Sequence, residues 1–232
     1  MKSVVLLSGG LDSATCLGLA VKKFGYENVS AVSVFYGQRH ERELECAKKI
    51  SAYYKVSRYE FDAAKIMSYS SSALLNTSTE NLEKNSYGEQ VKKNPRISTY
   101  VPFRNGLMLS IAASFADGLY NGEDTEIFIG VHQDASAINV YPDCSENFIR
   151  AISEAVEIGT YGKIKIVAPF AGKTKADIVK VGLELKVPYE ITWSCYERGE
   201  IPCGKCATCI DRKKAFELNG VKDPASELRI KN

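Results

Sequence analysis

Val4-Val5-Leu6-Leu7 is an unbroken apolar run, the pattern of a short strand buried on both faces of a parallel sheet. Ser8-Gly9-Gly10 interrupts it, and apolar spacing then predicts a helix over 14–24. The alternation repeats with a strand at 29–35, a helix at 41–54 and a strand at 57–61. It lapses over 68–93, where Ser, Asn, Glu and Lys dominate. An irregular stretch of this length inside a compact domain reads as a functional lid or a mobile insertion. The rhythm resumes with a helix at 105–116, a strand at 126–130, a helix at 146–158, a strand at 164–168 and a helix at 175–185, stopped by Pro188. Strands alternating with helices imply βαβ units. The expected architecture is α/β: a Rossmann-like, doubly wound, five-stranded parallel sheet over 1–190, with a small appendage over 191–232.

Composition narrows the setting. The 232 residues are 45% hydrophobic and 25% charged, ordinary for a globular chain. A net charge of +2 gives no nucleic-acid footprint, so anion contacts should be local. No apolar run approaches the roughly 18 residues of a membrane span, and Val4 to Leu7 is too short for a signal segment. A cytoplasmic location is expected.

Cysteine usage departs from the ordinary. Of seven cysteines, Cys195, Cys203, Cys206 and Cys209 fall in a Cys-x7-Cys-x2-Cys-x2-Cys pattern near the carboxyl end, while Cys16, Cys46 and Cys144 are scattered. Overlapping Cys-x2-Cys turns let successive thiolates face one ion, and four sulfurs suit Zn²⁺ in a closed, structural site. An iron–sulfur cluster would use the same ligands. Lys205, Arg198 and the run Arg212-Lys213-Lys214 offset thiolate charge or form a solvated helix face. The segment 191–232 is therefore expected to be zinc-binding and helical, with little apolar surface to bury.

Between the first strand and first helix lies Ser8-Gly9-Gly10-Leu11-Asp12-Ser13. Paired glycines let backbone turn sharply and approach a ligand, and free N–H groups at the helix start suit phosphate oxygens. A plain strand-to-helix connection with Ser13 as N-cap is the alternative. The full Ser-Gly-Gly-x-Asp-Ser string resembles the PP-loop ATP pyrophosphatases, and lacks the Gly-Lys-Ser/Thr ending of a P-loop. That resemblance implies that ATP is held along Leu7, Ser8, Gly9, Gly10, Leu11, Asp12, Ser13, Ala14, Thr15, Cys16 and Leu17. Attack would fall on the α-phosphorus, and Asp12 would orient the loop or a Mg²⁺ ion.

Further strings narrow the resemblance. Tyr36-Gly-Gln38-Arg39-His40-x-x-Glu-Leu follows the second strand; Tyr100-Val-Pro-Phe-Arg104-Asn105 precedes a helix. Ile129-Gly-Val-His132 leads to Tyr141-Pro-Asp143-Cys144, and Lys173-Thr-Lys175-Ala-Asp177 opens a late helix. With the four cysteines, this order resembles the 7-cyano-7-deazaguanine synthase family of queuosine biosynthesis nearly end to end, least well over 68–93. In that family the residue between Pro and Arg is usually small; here it is Phe103.

The resemblance implies ATP-dependent conversion of 7-carboxy-7-deazaguanine and ammonia to the nitrile, through adenylated acid and amide, by a homodimer with one structural zinc per chain. Asp12, Ser13, Arg104 and Lys175 would carry the chemistry, with Gln38, Arg39, His40, His132 and Asp143 at the substrate. Tyr36, Phe103 and Trp193 are candidates to stack on a flat ring or to pack in the core. Asp143 with Glu146, and Thr174 with Asp177, also read as helix caps. A PP-loop tRNA sulfur transferase using Cys16 or Cys144 is the nearest alternative; a nucleic-acid-binding zinc module is a more distant one.

Overall fold

The computed structural model describes residues 1–39, 42–83, 86–132, 140–197 and 199–225. Five parallel strands form one sheet: β1 (Lys2–Leu6), β2 (Val29–Phe35), β3 (Ser57–Asp62), β4 (Thr125–Phe128) and β5 (Ile164–Val167). Around them lie α1 (Leu11–Phe24), α2 (Arg42–Tyr53), α3 (Ala64–Met67), α4 (Tyr87–Lys93), α5 (Arg104–Tyr120), α6 (Glu146–Gly159), α7 (Lys175–Glu184) and α8 (Ala207–Leu218). The order β3-β2-β1-β4-β5 makes the chain run outward to one edge and return beside β1. The switch point falls between β1 and β4, where open α/β sheets bind ligands beyond the strand ends.

Alternation along β1 decides which helices lie where. Val5 and Leu7 point to the face packed by Leu11, Ala14, Ile50, Ile178 and Phe216. Val4 and Leu6 point to the other, packed by Leu109, Ala112, Ala116 and Ile149. Both faces are covered, so the doubly wound expectation holds.

Three differences from the pattern reading have physical causes. Helix α1 begins at Leu11, earlier than the apolar spacing reaches, because its first turn belongs to the loop; its N-cap is Gly10, not Ser13. Helix α6 is capped by Ser145, whose side chain accepts from Phe148 N–H at 3.2 Å, and not by Asp143. Thr174 and Asp177 do form a capping box on α7. The segment 68–93 is also partly ordered where described: Leu74 and Leu75 pack with Tyr36, Met67 and Val101. Ser86 and Glu89 box the start of α4.

The carboxyl-terminal segment buries more than its composition promised. Cys195, Cys206, Cys209, Ala215 and Phe216 share the core of β1 and α1. Within the basic run, Lys213 and Lys214 are exposed, but Arg212 turns inward. Its guanidinium pairs with Asp223 at 2.9 Å and donates to Thr192 Oγ1 and the Tyr189 carbonyl. Arg212 therefore clamps α8 onto the preceding turn. Removing one partner of a buried pair strands the other charge, so Asp223→Ala should lower stability by about 3 kcal/mol. Urea unfolding of variant and parent checks this; an unchanged midpoint would make the pair incidental.

Candidate active site

Loop 7–13 is shaped by what its glycines touch. Gly9 sits at φ +90°, and a Cβ there would lie 2.0 Å from the Glu43 carbonyl oxygen of α2. Only glycine lets loop and helix approach this closely. Gly130, after β4, is equally constrained: a Cβ would meet the Asp12 carbonyl carbon at 2.9 Å. Ser13 Oγ accepts from Ser8 N–H at 3.2 Å and donates to the Gly10 carbonyl at 3.0 Å, closing the turn. From the chain's other end, Trp193 N–H donates to the Gly9 carbonyl at 3.0 Å.

A cavity opens above β1 and β4, lined by Leu7, Ser8, Gly10, Leu11, Asp12 and Ser13. Ala14, Cys16 and Leu17, expected with the nucleotide group, turn their side chains into the core, and Thr15 Oγ1 is spent on the Leu11 carbonyl and Tyr189 OH.

Asp12 is the electrostatic centre. Its Oδ2 lies 3.1 Å from Lys175 Nζ and 3.4 Å from His132 Nδ1, joining three elements. Burial alone would raise its pKa, but Lys175 and then His132 outweigh that and hold it low. Its Oδ1 is buried with no hydrogen-bond partner. An orphaned carboxylate oxygen beside a phosphate loop is a ligand that a Mg²⁺ ion takes.

Arg104, at the start of α5, lines the far side of the cavity. It stands 5.3 Å above the Tyr36 ring and donates to its hydroxyl at 3.3 Å. Asp143 is buried behind it, accepting from Asn105 N–H at 2.9 Å, so it fixes the start of α5 and does not line the cavity. Gln38 lines the cavity and its Oε1 accepts from Tyr36 N–H at 2.9 Å. Arg39 donates to the carbonyls of Leu75, Ser78 and Glu80, holding the 68–93 segment. His40 lies outside the described residues.

Of the three aromatic candidates, Tyr36 and Trp193 line the cavity; Trp193 also has the Arg42 guanidinium 4.7 Å from its ring centroid. Phe103 does not line it. The residue is 55% exposed and its ring meets Phe148 edge-on at 5.7 Å, so it packs on helices and leaves the cavity its width.

Several lining residues escaped the motif reading. Tyr87 of α4 and Tyr196 share a hydroxyl hydrogen bond of 2.7 Å, and Tyr141 lies beside them. Ser194, Thr208 and Asp211 come from the carboxyl-terminal segment, and Glu43 from α2. Burial pushes the Glu43 carboxyl up to about 7, with Arg104 pulling the other way. Neither thiol offered for sulfur transfer is activated: burial pushes Cys144 up to about 12, and Cys16, wholly enclosed, is also raised.

Behind the Trp193 wall, the sulfurs of Cys195, Cys203, Cys206 and Cys209 lie within 4.8 Å of one another. Tetrahedral ligands at a zinc–sulfur distance of about 2.3 Å would be roughly 3.8 Å apart, so the set fits a metal ion. Cys195 Sγ accepts from Cys203 N–H at 3.2 Å and Cys203 Sγ from Cys206 N–H at 3.3 Å, bonds that favour thiolates. Among the described residues no helix is long and apolar enough to cross a membrane.

The family model described as queuosine biosynthesis protein QueC matches residues 2–220. The 7-cyano-7-deazaguanine synthase of Archaeoglobus fulgidus is 43% identical over 225 residues, covering 97% of this chain and 89% of that protein. That of Oceanobacillus iheyensis is 40% identical over 227 residues, covering 96% of each. Among solved structures, the NH3-dependent NAD synthetase of Campylobacter jejuni aligns with 82% of this chain and 66% of its own at TM-score 0.46 and 16% identity, a likeness too distant to bear on the site. A match spanning almost the whole chain, at these identities, means that the chain belongs to the QueC family of queuosine biosynthesis proteins.

Proposed function

We infer that this protein converts 7-carboxy-7-deazaguanine and ammonia to 7-cyano-7-deazaguanine, consuming two ATP to AMP and pyrophosphate. The observation that carries the reading is the meeting of Asp12, Lys175 and His132 at one carboxylate beside the glycine loop, in a chain of this family.

A carboxylate is a poor electrophile until its oxygen carries AMP. Ammonia then displaces AMP to give the amide, and a second adenylation on the amide oxygen makes AMP the leaving group again. The protein's part is positioning and charge stabilisation. Backbone N–H groups of the loop and the Ser8 hydroxyl would face the departing pyrophosphate, with Ser13 closing the turn that presents them. Lys175 supplies positive charge beside them, and Arg104 faces the carboxylate. Asp12 holds Lys175 in place and offers its free oxygen to Mg²⁺, whose charge offsets the polyphosphate. Tyr36 and Trp193 give flat faces to the two rings. Cys195, Cys203, Cys206 and Cys209 would hold one zinc per chain in a structural role. A homodimer is part of this reading.

Stoichiometry tests it. Two AMP should appear per nitrile formed, and the amide, offered alone, should consume one ATP. Release of ADP and phosphate in place of AMP would exclude attack at the α-phosphorus. A parent enzyme that releases pyrophosphate only with tRNA would favour the sulfur-transfer alternative.

A further inference from the structure

We propose that Glu43 is the proton acceptor of the amide-to-nitrile half-reaction, taking the N–H protons of the bound amide. The assignment rests on the reaction inferred above and adds the base that the loop and the cations do not provide.

The chemistry demands such a group. Adenylating a carboxylate releases no proton. Adenylating an amide does: as its oxygen attacks the α-phosphorus, pyrophosphate leaves with the P–O electron pair and one N–H proton departs. When the C–O bond then breaks, its electrons leave with AMP. The second N–H proton goes to a base, and the N–H electron pair becomes the third C–N bond. Glu43 takes each proton in turn and passes it to solvent between the two steps.

Placement singles out this carboxyl. It stands in the first turn of α2 and lines the cavity, while its own carbonyl oxygen packs against Gly9 of the loop. It is thus anchored beside the phosphate site on a rigid element. The described structure gives its side chain no hydrogen bond or ion pair, and the nearest opposing charge acting on it is Arg104. The other acids of the cavity are committed. Asp12 is held ionised by Lys175 and His132, and Asp211 has a partner of its own. Tyr36, Tyr87, Tyr196 and Cys144 are pushed up by burial and keep their protons near neutrality. Glu43, its pKa raised to about 7, both binds and releases a proton there.

Glu43→Gln keeps the shape and removes the base. Two readouts on the purified full chain separate its role from a structural one. The first is pyrophosphate released in a single turnover with 7-carboxy-7-deazaguanine and no ammonia; the second is nitrile formed from the amide. The variant should keep the first within about threefold and lose the second by about 100-fold or more. Nitrile formation from the amide within about threefold of the parent overturns the proposal, and so does an equal loss of both readouts, which marks a binding role. A parent that releases no pyrophosphate in the first assay refutes the reaction itself, a distinct failure.

Should Glu43→Gln not fold, the parent's own pH profile decides. Arg104 from α5, Tyr36 beyond β2 and Cys46 on its own helix interact electrostatically with Glu43, and Asp12, His132 and Lys175 line the same cavity. Arg104 stays charged, and the Tyr36 and Cys46 pKa values lie higher, so nitrile formation should rise through about pH 7 as Glu43 ionises. A rate flat between about pH 6 and about pH 8 overturns the assignment.

Discussion

Asp12→Ala should lower substrate-dependent pyrophosphate release by about 1000-fold, the scale expected when a preorganised charge constellation is dismantled. The side chain holds Lys175 at 3.1 Å and His132 at 3.4 Å. Without it, two nitrogen groups lose their common anchor, and the unpartnered Oδ1 is gone as a cation ligand. Stability should respond too, with a definite sign. The Asp12 pKa is lowered on folding, so its contribution is present above the unfolded value of about 3.9 and fades as pH falls through the folded one. Variant and parent should therefore differ in unfolding free energy near neutral pH and converge in acid. A folded Asp12→Ala protein that turns over within about threefold of the parent would remove the nucleotide from this loop altogether.

Cys206→Ser should release the metal and lower the melting temperature by roughly 10 °C, a loss of about 3 kcal/mol in a chain this long. The damage should spread from the metal to the cavity along one short path. Cys206 precedes α8, and the Thr208 hydroxyl there donates to the Ser194 carbonyl at 2.6 Å. Ser194 and Trp193 form part of the cavity wall, and Trp193 is bonded to Gly9. Activity should thus track folding: partial in the cold, lost on warming. Metal content by elemental analysis and turnover at two temperatures test this. A metal-free variant that stays folded in the cold yet is wholly inactive there would give the metal a part in the chemistry.

The central strands were legible because both faces of the sheet are covered there, which buries β1 and β2 along nearly their whole length. The loop was legible because its constraint is local: two glycines and an Asp in sequence. The start of α1 was not, because its first turn carries Asp12 and Ser13 for the cavity and not only apolar residues for the core. Arg212 misled for a related reason. Local charge placed it with Lys213 and Lys214, whereas its partner Asp223 is brought up only by the turn after α8. Beside Tyr36, the tyrosines of the cavity are drawn from 87, 141 and 196, and no local pattern joins them. Glu43 did leave a trace. On α2 the buried positions are Cys46, Ala47, Ile50 and Ser51, and Glu43 continues that stripe one turn earlier. An acid on the inward face of a helix calls for a reason, and helical phase alone raises the question.

Trp193 reaching back to Gly9 has a consequence for a chain still being made. All five strands are complete once residue 167 has been synthesised, and the loop of residues 8–13 is then already in place. The wall supplied by Trp193, Ser194, Tyr196 and Thr208 is not, since those residues follow the last strand. A chain shortened just before residue 193 would keep all five strands and the loop, yet present a cavity open on the side that Trp193, Ser194, Tyr196 and Thr208 enclose.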